Sequence, residues 1–304
     1  LLTGFVLMPK LGLRGALTTF AVLLAFVACV TAWLNHQQRP VLFSIALAAV
    51  AIWISSSRED TWKHVLSSGI FRLRTADVPW NLLEQRRKFI DLLFYEDGPD
   101  ATVTVETGSK LNSSKDTVLR VNGKPDASTG GDLSTQYLIA HLPMFGRPQS
   151  KDVFVLGYGS GITAGALLGH PIERLTIAEN CQPVMRASKY FETWNRGVLT
   201  NARTRIIQED GRTALKLDPQ KYDIIISEPS NPWVAGVGSV FSKEYYELAS
   251  NRLKDGGIMA QWFHMYEMHD GIAFLVARTF ASVFPVIEIW DSQEGDIVML
   301  GSQK

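Results

Sequence analysis

Twenty consecutive residues, Gly15 to Leu34 (GALTTFAVLLAFVACVTAWL), carry no charge. A helix of that length reaches about 30 Å, the thickness of a bilayer's hydrocarbon layer. Val41–Ile54 is a second apolar run, extended to Ser57 by serines and near the lower limit for a span. The opening LLTGFVLM reads as the tail of another span, so the chain is expected to be a fragment of a longer membrane protein. A signal peptide fits poorly, because further apolar runs follow with no small-residue cleavage pattern between them. A buried helix of a soluble fold is the competing reading of either run.

Charge divides the chain at the same place. Residues 1–57 hold Lys10, Arg14 and Arg39 and no acid, whereas 58–304 hold 27 basic and 30 acidic residues. Lys10 and Arg14 flank the first full span, and Arg58, Lys63, Arg72 and Arg74 follow the second. The intervening loop, Asn35–Pro40, has only Arg39. The positive-inside rule then places the remainder on the cytoplasmic side of an integral membrane protein. The formal net charge of zero argues against a general nucleic-acid binder. The two cysteines, Cys29 and Cys181, exclude a disulfide framework and a multi-thiolate zinc site. The histidines show no metal-ligand spacing, so no metal is expected.

Residues 58–100 read as a polar connector with a helix over Trp80–Tyr95. ATVTVET (101–107) and TVLRVNG (117–123), around the turn formers KLNSSKD, predict a β-hairpin. From Asp152 short apolar runs alternate with helical ones. The strands are VFVLG (153–157), LTIAE (175–179), TRIIQE (204–209), DIIIS (223–227) and IMAQWF (258–263). Helices are expected at 161–168, 183–195, 243–253, with Ser242 as N-cap and Gly256-Gly257 as the stop, and 270–283. VIEIWD (286–291) and DIVMLGS (296–302) form a closing hairpin. This α/β pattern predicts five parallel strands covered on both faces, closed by an antiparallel pair. It resembles the class I methyltransferase-type sheet more than the dehydrogenase sheet.

Candidate chemistry gathers at the strand ends. Gly157-Tyr158-Gly159-Ser160-Gly161 joins the first strand to a helix, and glycines there let the backbone approach a ligand. Glu179 ends the second strand, where a carboxylate can bind ribose hydroxyls. Asp210-Gly211 closes the third strand and either bonds an adenine amino group or simply makes a turn. Together, at the carboxyl edge of one sheet, these point to an adenosyl-type ligand. The fourth strand runs into Glu228-Pro229-Ser230-Asn231-Pro232-Trp233, which brings a carboxylate, an amide and an indole into one loop. Gly236 and Gly238 suggest that the loop moves. His264, Tyr266 and His269 lie within reach of an acceptor pocket, although satisfied or solvated histidines are the simpler reading. Cys181 reads as packing.

Leu119–Gly123, Gln136–Pro143 (QYLIAHLP), the GYGSG turn, Glu179, Asp210-Gly211 and the Glu228–Pro232 loop, in that order, resemble the polyamine aminopropyltransferase (spermidine synthase) family over residues 90–304. The attached spans resemble its membrane-fused branch. The resemblance implies a small N-terminal β-hairpin domain (101–145), a Rossmann-like nucleotide-binding catalytic domain (146–304), and transmembrane helices in 1–57. It implies transfer of an aminopropyl group from decarboxylated S-adenosylmethionine to a small-molecule amine of the polyamine type, releasing methylthioadenosine, without a metal. By position, Gly157, Gly159, Ser160, Gly161, Glu179, Asp210 and Gly211 would bind the nucleotide. Glu228 would be the catalytic base, and Gln136, Asn231 and Trp233 would contact substrate. A homo-oligomer is compatible with this reading.

The family loop reads Asp-x-x-Asp where this chain has Glu-x-x-Asn. Ser160 replaces the acid of the glycine turn, and Thr135 the Tyr before Gln136. A diamine is dicationic at neutral pH, so lost acids weaken its attraction. Nucleotide binding carries over; putrescine specificity does not. Two alternatives stay open. One is a methyltransferase using intact S-adenosylmethionine, since Asn231-Pro232-Trp233 is similar to the Asn-Pro-Pro-aromatic loop of amino-methylating enzymes. The other is a nucleotide-sensing domain that regulates a membrane transport bundle.

Overall fold

The computed structural model describes residues 3–36, 38–56, 60–70, 81–108, 116–232, 236–265, 268–293 and 295–304. The chain divides into two compact units, Leu1–Thr104 with Val121–Lys124, and Val105–Arg120 with Pro125–Lys304.

The first unit is built on α1 (Met8–Leu34) and α2 (Gln38–Ser56), which pack against one another. Both are long and apolar enough to cross a membrane, and only 6% of the most apolar stretch of each is buried. Trp33, Leu24 and Trp53 are 70%, 70% and 75% exposed. The hydroxyls of Thr18, Thr19, Thr31 and Ser44 each bond a carbonyl four residues back, so these polar groups are satisfied inside their own helix. Helix α1 breaks at Gly12, where φ is +68°. There Asp97 Oδ2 accepts from Leu13 N at 2.7 Å, and Asp97 Oδ1 accepts from the hydroxyls of Tyr95 and Thr102.

Two short helices follow, α3 (Thr61–Leu66) and α4 (Leu82–Phe89), then strand β1 (Ile90–Asp97). The helix expected over Trp80–Tyr95 therefore stops at Phe89, and Trp80 lies outside the described residues. Its second half, IDLLFYED, gains strand pairing that a surface helix could not offer. The expected hairpin appears as β2 (Thr102–Gly108) beside β3 (Thr117–Val121). With β1 and β4 (Lys124–Ser128) it makes a four-stranded sheet of order β1-β2-β3-β4.

In the second unit, α5 (Leu133–Gly146) precedes seven strands. They are β5 (Asp152–Leu156), β6 (Arg174–Ala178), β7 (Thr204–Ile207), β8 (Tyr222–Ser227), β9 (Leu253–His264), β10 (Val286–Gln293) and β11 (Asp296–Ser302). The helices between them are α6 (Ile162–Leu167), α7 (Gln182–Ala187), α8 (Glu192–Asn195), α9 (Gly211–Leu217), α10 (Lys243–Arg252) and α11 (Asp270–Ala281). The sheet order is β10-β11-β9-β8-β5-β6-β7. Strands β5 to β9 are parallel, and the closing pair is antiparallel. The chain runs outward from β5 to β7, then returns to β8 on the other side of β5. That reversal opens a crevice at the carboxyl ends of β5 and β8, where open α/β sheets bind ligands.

The strands read from sequence are all present, and β5 and β8 are buried along their whole length. Phe154, Ile225, Met259, Phe263, Tyr245, Tyr246 and Phe280 fill one core, with Tyr246 edge-on to Phe280 at 5.0 Å. Ser242 caps α10 as expected, accepting from Tyr245 N. Gly256-Gly257 does not stop that helix: α10 ends at Arg252, and both glycines lie within β9. Leu253 already pairs with Tyr222, and the register shifts between Tyr222 and Ile224, so the glycines serve an irregularity in the strand.

The amino edge of the sheet is tied by charge. Asp223 Oδ2 accepts from the backbone amides of Lys151 and Asp152 and from Lys254 Nζ, and Asp223 Oδ1 from Arg147. Asp152 takes Arg174 and Lys254.

Candidate active site

Strand β5 leads into the glycine turn because only glycine fits there. Gly157 has φ +87°, and a Cβ on it would lie 2.5 Å from the carbonyl oxygen of Glu228. The loops after β5 and β8 thus approach each other at backbone contact, and Glu228 N donates to Leu156 O at 3.0 Å. Gly159 and Gly161 also have positive φ, and a Cβ on Gly159 would meet nothing within 4 Å. The turn is therefore open at Gly159 and closely packed at Gly157 and Gly161.

Glu179, at the end of β6, faces this turn. Its Oε2 accepts from Tyr158 N at 3.0 Å and its Oε1 from Cys181 N at 2.7 Å. Burial pushes its carboxyl pKa up, against those amide hydrogen bonds. Asp210 caps α9, its Oδ1 accepting from Thr213 N and Thr213 Oγ1, both at 2.8 Å. A Cβ on Gly211 would lie 2.3 Å from Leu156 Cγ, so that glycine lets α9 close onto β5.

Gln136 and Ser160 form the join between α5 and the turn. Ser160 Oγ donates to Gln136 Oε1 at 2.6 Å, while Gln136 Nε2 donates to Ser128 O at 2.8 Å and reaches Asp132 Oδ2 at 3.3 Å. Thr163 Oγ1 donates to Gln136 O. Both ends of the Gln136 amide are thus engaged by protein, and it positions the turn.

Glu228 is half-buried at the mouth of the crevice. Desolvation pushes its carboxyl pKa up to about 8; the Thr163 hydroxyl pulls it down, and the charges of Asp132, Asp296 and Asp126 push it further up. Asn231, fully buried, contacts His264 through Nδ2, 2.9 Å from Nε2. His264, also fully buried at the end of β9, is thus a satisfied histidine that stands in the Glu228 loop's wall. His269 caps α11 through Nδ1 and is exposed. Cys181 is buried at the start of α7. Trp233 and Tyr266 lie outside the described residues.

Sequence reasoning did not find Asp126, Asp132, Asp296 or Thr163. Asp132 precedes α5, and Asp296 opens β11, where the sequence showed only the first residue of a strand.

A glycine turn, a strand-end glutamate and a half-buried carboxylate thus gather at the switch point of a Rossmann-like α/β sheet. A family model described as the spermine/spermidine synthase domain matches residues 133–290, just over half the chain, and the chain belongs to that family. Among curated relatives, polyamine aminopropyltransferase 2 of Pseudomonas aeruginosa is 27% identical over 173 residues, 56% of this chain and 50% of that protein. Spermidine synthase of Dictyostelium discoideum is 29% identical over 154 residues, 49% of this chain and 54% of that protein. The chain spans about half the length of the curated relatives it matches. A spermidine synthase crystallised with the transition-state analogue AdoDATO superposes with a TM-score of 0.63 at 20% identity, covering 70% of this chain and 74% of that one. The Thermotoga maritima spermidine synthase gives a TM-score of 0.61, also at 20% identity, over 70% and 73%. These likenesses show the fold.

Proposed function

We propose that the chain is an aminopropyltransferase that uses decarboxylated S-adenosylmethionine as donor and a polyamine-type amine as acceptor. The observation that carries this reading is Glu228, a half-buried carboxylate with its pKa pushed up to about 8, beside an open glycine turn. An amine attacks only as the free base, and a carboxylate whose pKa lies near the working pH accepts its proton efficiently. The amine nitrogen bonds to the donor methylene, the carbon–sulfur bond breaks, and methylthioadenosine leaves with the sulfur's electron pair. The nitrogen's proton passes to Glu228. The Gly157–Gly161 turn holds the sulfonium end, Glu179 the ribose and Asp210 the adenine side. Gln136 sets the turn through Ser160, and Asn231 stands on the acceptor side. Helices α1 and α2 anchor this domain at the cytoplasmic face of a membrane, as in a membrane-fused branch of the family.

Glu228→Gln tests the base. We expect kcat to fall roughly 10²–10⁴-fold with methylthioadenosine affinity nearly unchanged. Wild-type kcat/KM should rise with pH through about 8, because the base must be unprotonated. The same raised pKa makes the folded state lose stability as pH rises from the unfolded value near 4.5 through about 8. Glu228→Gln should therefore raise Tm above pH 8 relative to wild type. Unchanged turnover with a lowered Tm would instead make Glu228 a structural residue.

A further inference from the structure

The chain lacks acids at 160 and 231, yet Asp132, Asp296 and Asp126, from three other elements, are near enough for their charges to act on Glu228. Asp296 opens β11 and is paired in register with His264 of β9. Facing residues of an antiparallel pair project to the same side of the sheet, so Asp296 shares a face with His264, which in turn holds Asn231. Asp296 is 7% exposed, and its Oδ2 lies 3.5 Å from the hydroxyl of Thr135. Asp126, in β4, accepts from Ser230 Oγ at 3.1 Å, inside the Glu228 loop. Asn231 adds an independent sign of a missing partner: its Oδ1 is buried with no hydrogen-bond donor among the described residues. A buried carbonyl without a donor is costly unless a ligand supplies one.

We propose, resting on the aminopropyl-transfer reading above, that Asp296, assisted by Asp126, binds the second ammonium group of the acceptor and so selects di- or polycationic amines over monoamines. One amine of such an acceptor must lose its proton to attack, while the other stays charged. Desolvating that second ammonium without a counter-charge would oppose binding. Asp296 supplies the counter-charge and Asn231 Oδ1 an acceptor for one ammonium N–H.

The test is calorimetric titration of 1,4-diaminobutane and 1-aminobutane into the full chain in detergent, saturated with methylthioadenosine. Wild type should bind the diamine more tightly. D296N should weaken diamine binding about 10- to 100-fold, as loss of a charged hydrogen-bond partner does. Monoamine affinity should change less than about twofold, since no second ammonium is lost. D126N, at an exposed position, should weaken the diamine about threefold. Equal affinity of wild type for both amines, a D296N loss common to both, or unchanged diamine binding in D296N would each overturn the proposal. If D296N no longer binds methylthioadenosine, D126N decides alone, and its failure to weaken the diamine overturns it. Binding needs no turnover, so the outcome is separable from the reaction itself. Asp296-dependent diamine binding without aminopropyl transfer removes the functional reading and leaves this one. Transfer with unaltered D296N does the reverse.

Discussion

Glu179 holds two loops with a single side chain, and on the proposed reading it also binds the ribose. Each of its oxygens already accepts one backbone amide of the loops around it. A carboxylate oxygen has a second lone pair, and that pair is what ribose hydroxyls would use. Glu179→Gln keeps the shape but turns one acceptor into a donor aimed at an amide. We expect methylthioadenosine affinity to fall about tenfold or more by calorimetry. Asp210 differs, since its Oδ1 is committed to the α9 cap. Asp210→Ala should cost roughly 1 kcal/mol of stability as a lost cap, in addition to any affinity loss. Unchanged affinity in both folded variants would remove the adenosyl assignment. The sequence named both residues, because a strand-end acid is visible in the string. It did not expose Asp296 or Asp126, because a turn-flanking Asp acquires meaning only through strand register.

At the scale of elements, the crevice depends on β5, β8 and β9 keeping their relative heights. The Asp223 network fixes them at the amino edge, joining residues from the start of each. Desolvation alone would raise the Asp223 carboxyl. The amides of Asp152 and Lys151 and the Lys254 ammonium outweigh it and hold the pKa below the ordinary carboxylate range. A depressed folded pKa gives stability that is present above the unfolded pKa and lost as pH falls through the folded one. Chemical denaturation should therefore show a loss of stability below about pH 4 that is smaller in Asp223→Asn. That variant should also be destabilised at pH 7 by roughly 3–5 kcal/mol, as when one partner of a buried ion pair is removed. An identical acid limb in both proteins would show that the network does not set it. Elements with strong periodicity, β5 to β9, were legible from their residues alone. Strand β1 was not, because the apolar spacing of IDLLFY suits a helix until a neighbouring strand is available.

At the scale of the molecule, two apolar helices precede a transferase fold. Leu24, Trp33 and Trp53 are exposed on these helices, and the hydroxyls of Thr18 and Thr31 bond carbonyls of their own helix, as the proposed membrane-spanning reading expects. The full chain should stay with membranes through alkaline carbonate extraction; release into the supernatant would make the helices peripheral. The fold of the second unit was readable because parallel strands buried on both faces leave continuous apolar runs. The proposed acceptor site was not, because Asp126 and Asp296 stand far apart in sequence and meet only through the placement of β4 and β11. The most direct test of the account is to incubate the full chain with decarboxylated S-adenosylmethionine and, separately, with S-adenosylmethionine, each with 1,4-diaminobutane, and to identify the nucleoside product by mass. Methylthioadenosine from the decarboxylated donor is the predicted result. S-adenosylhomocysteine from the intact donor, or no product from either despite nucleotide binding, would contradict it.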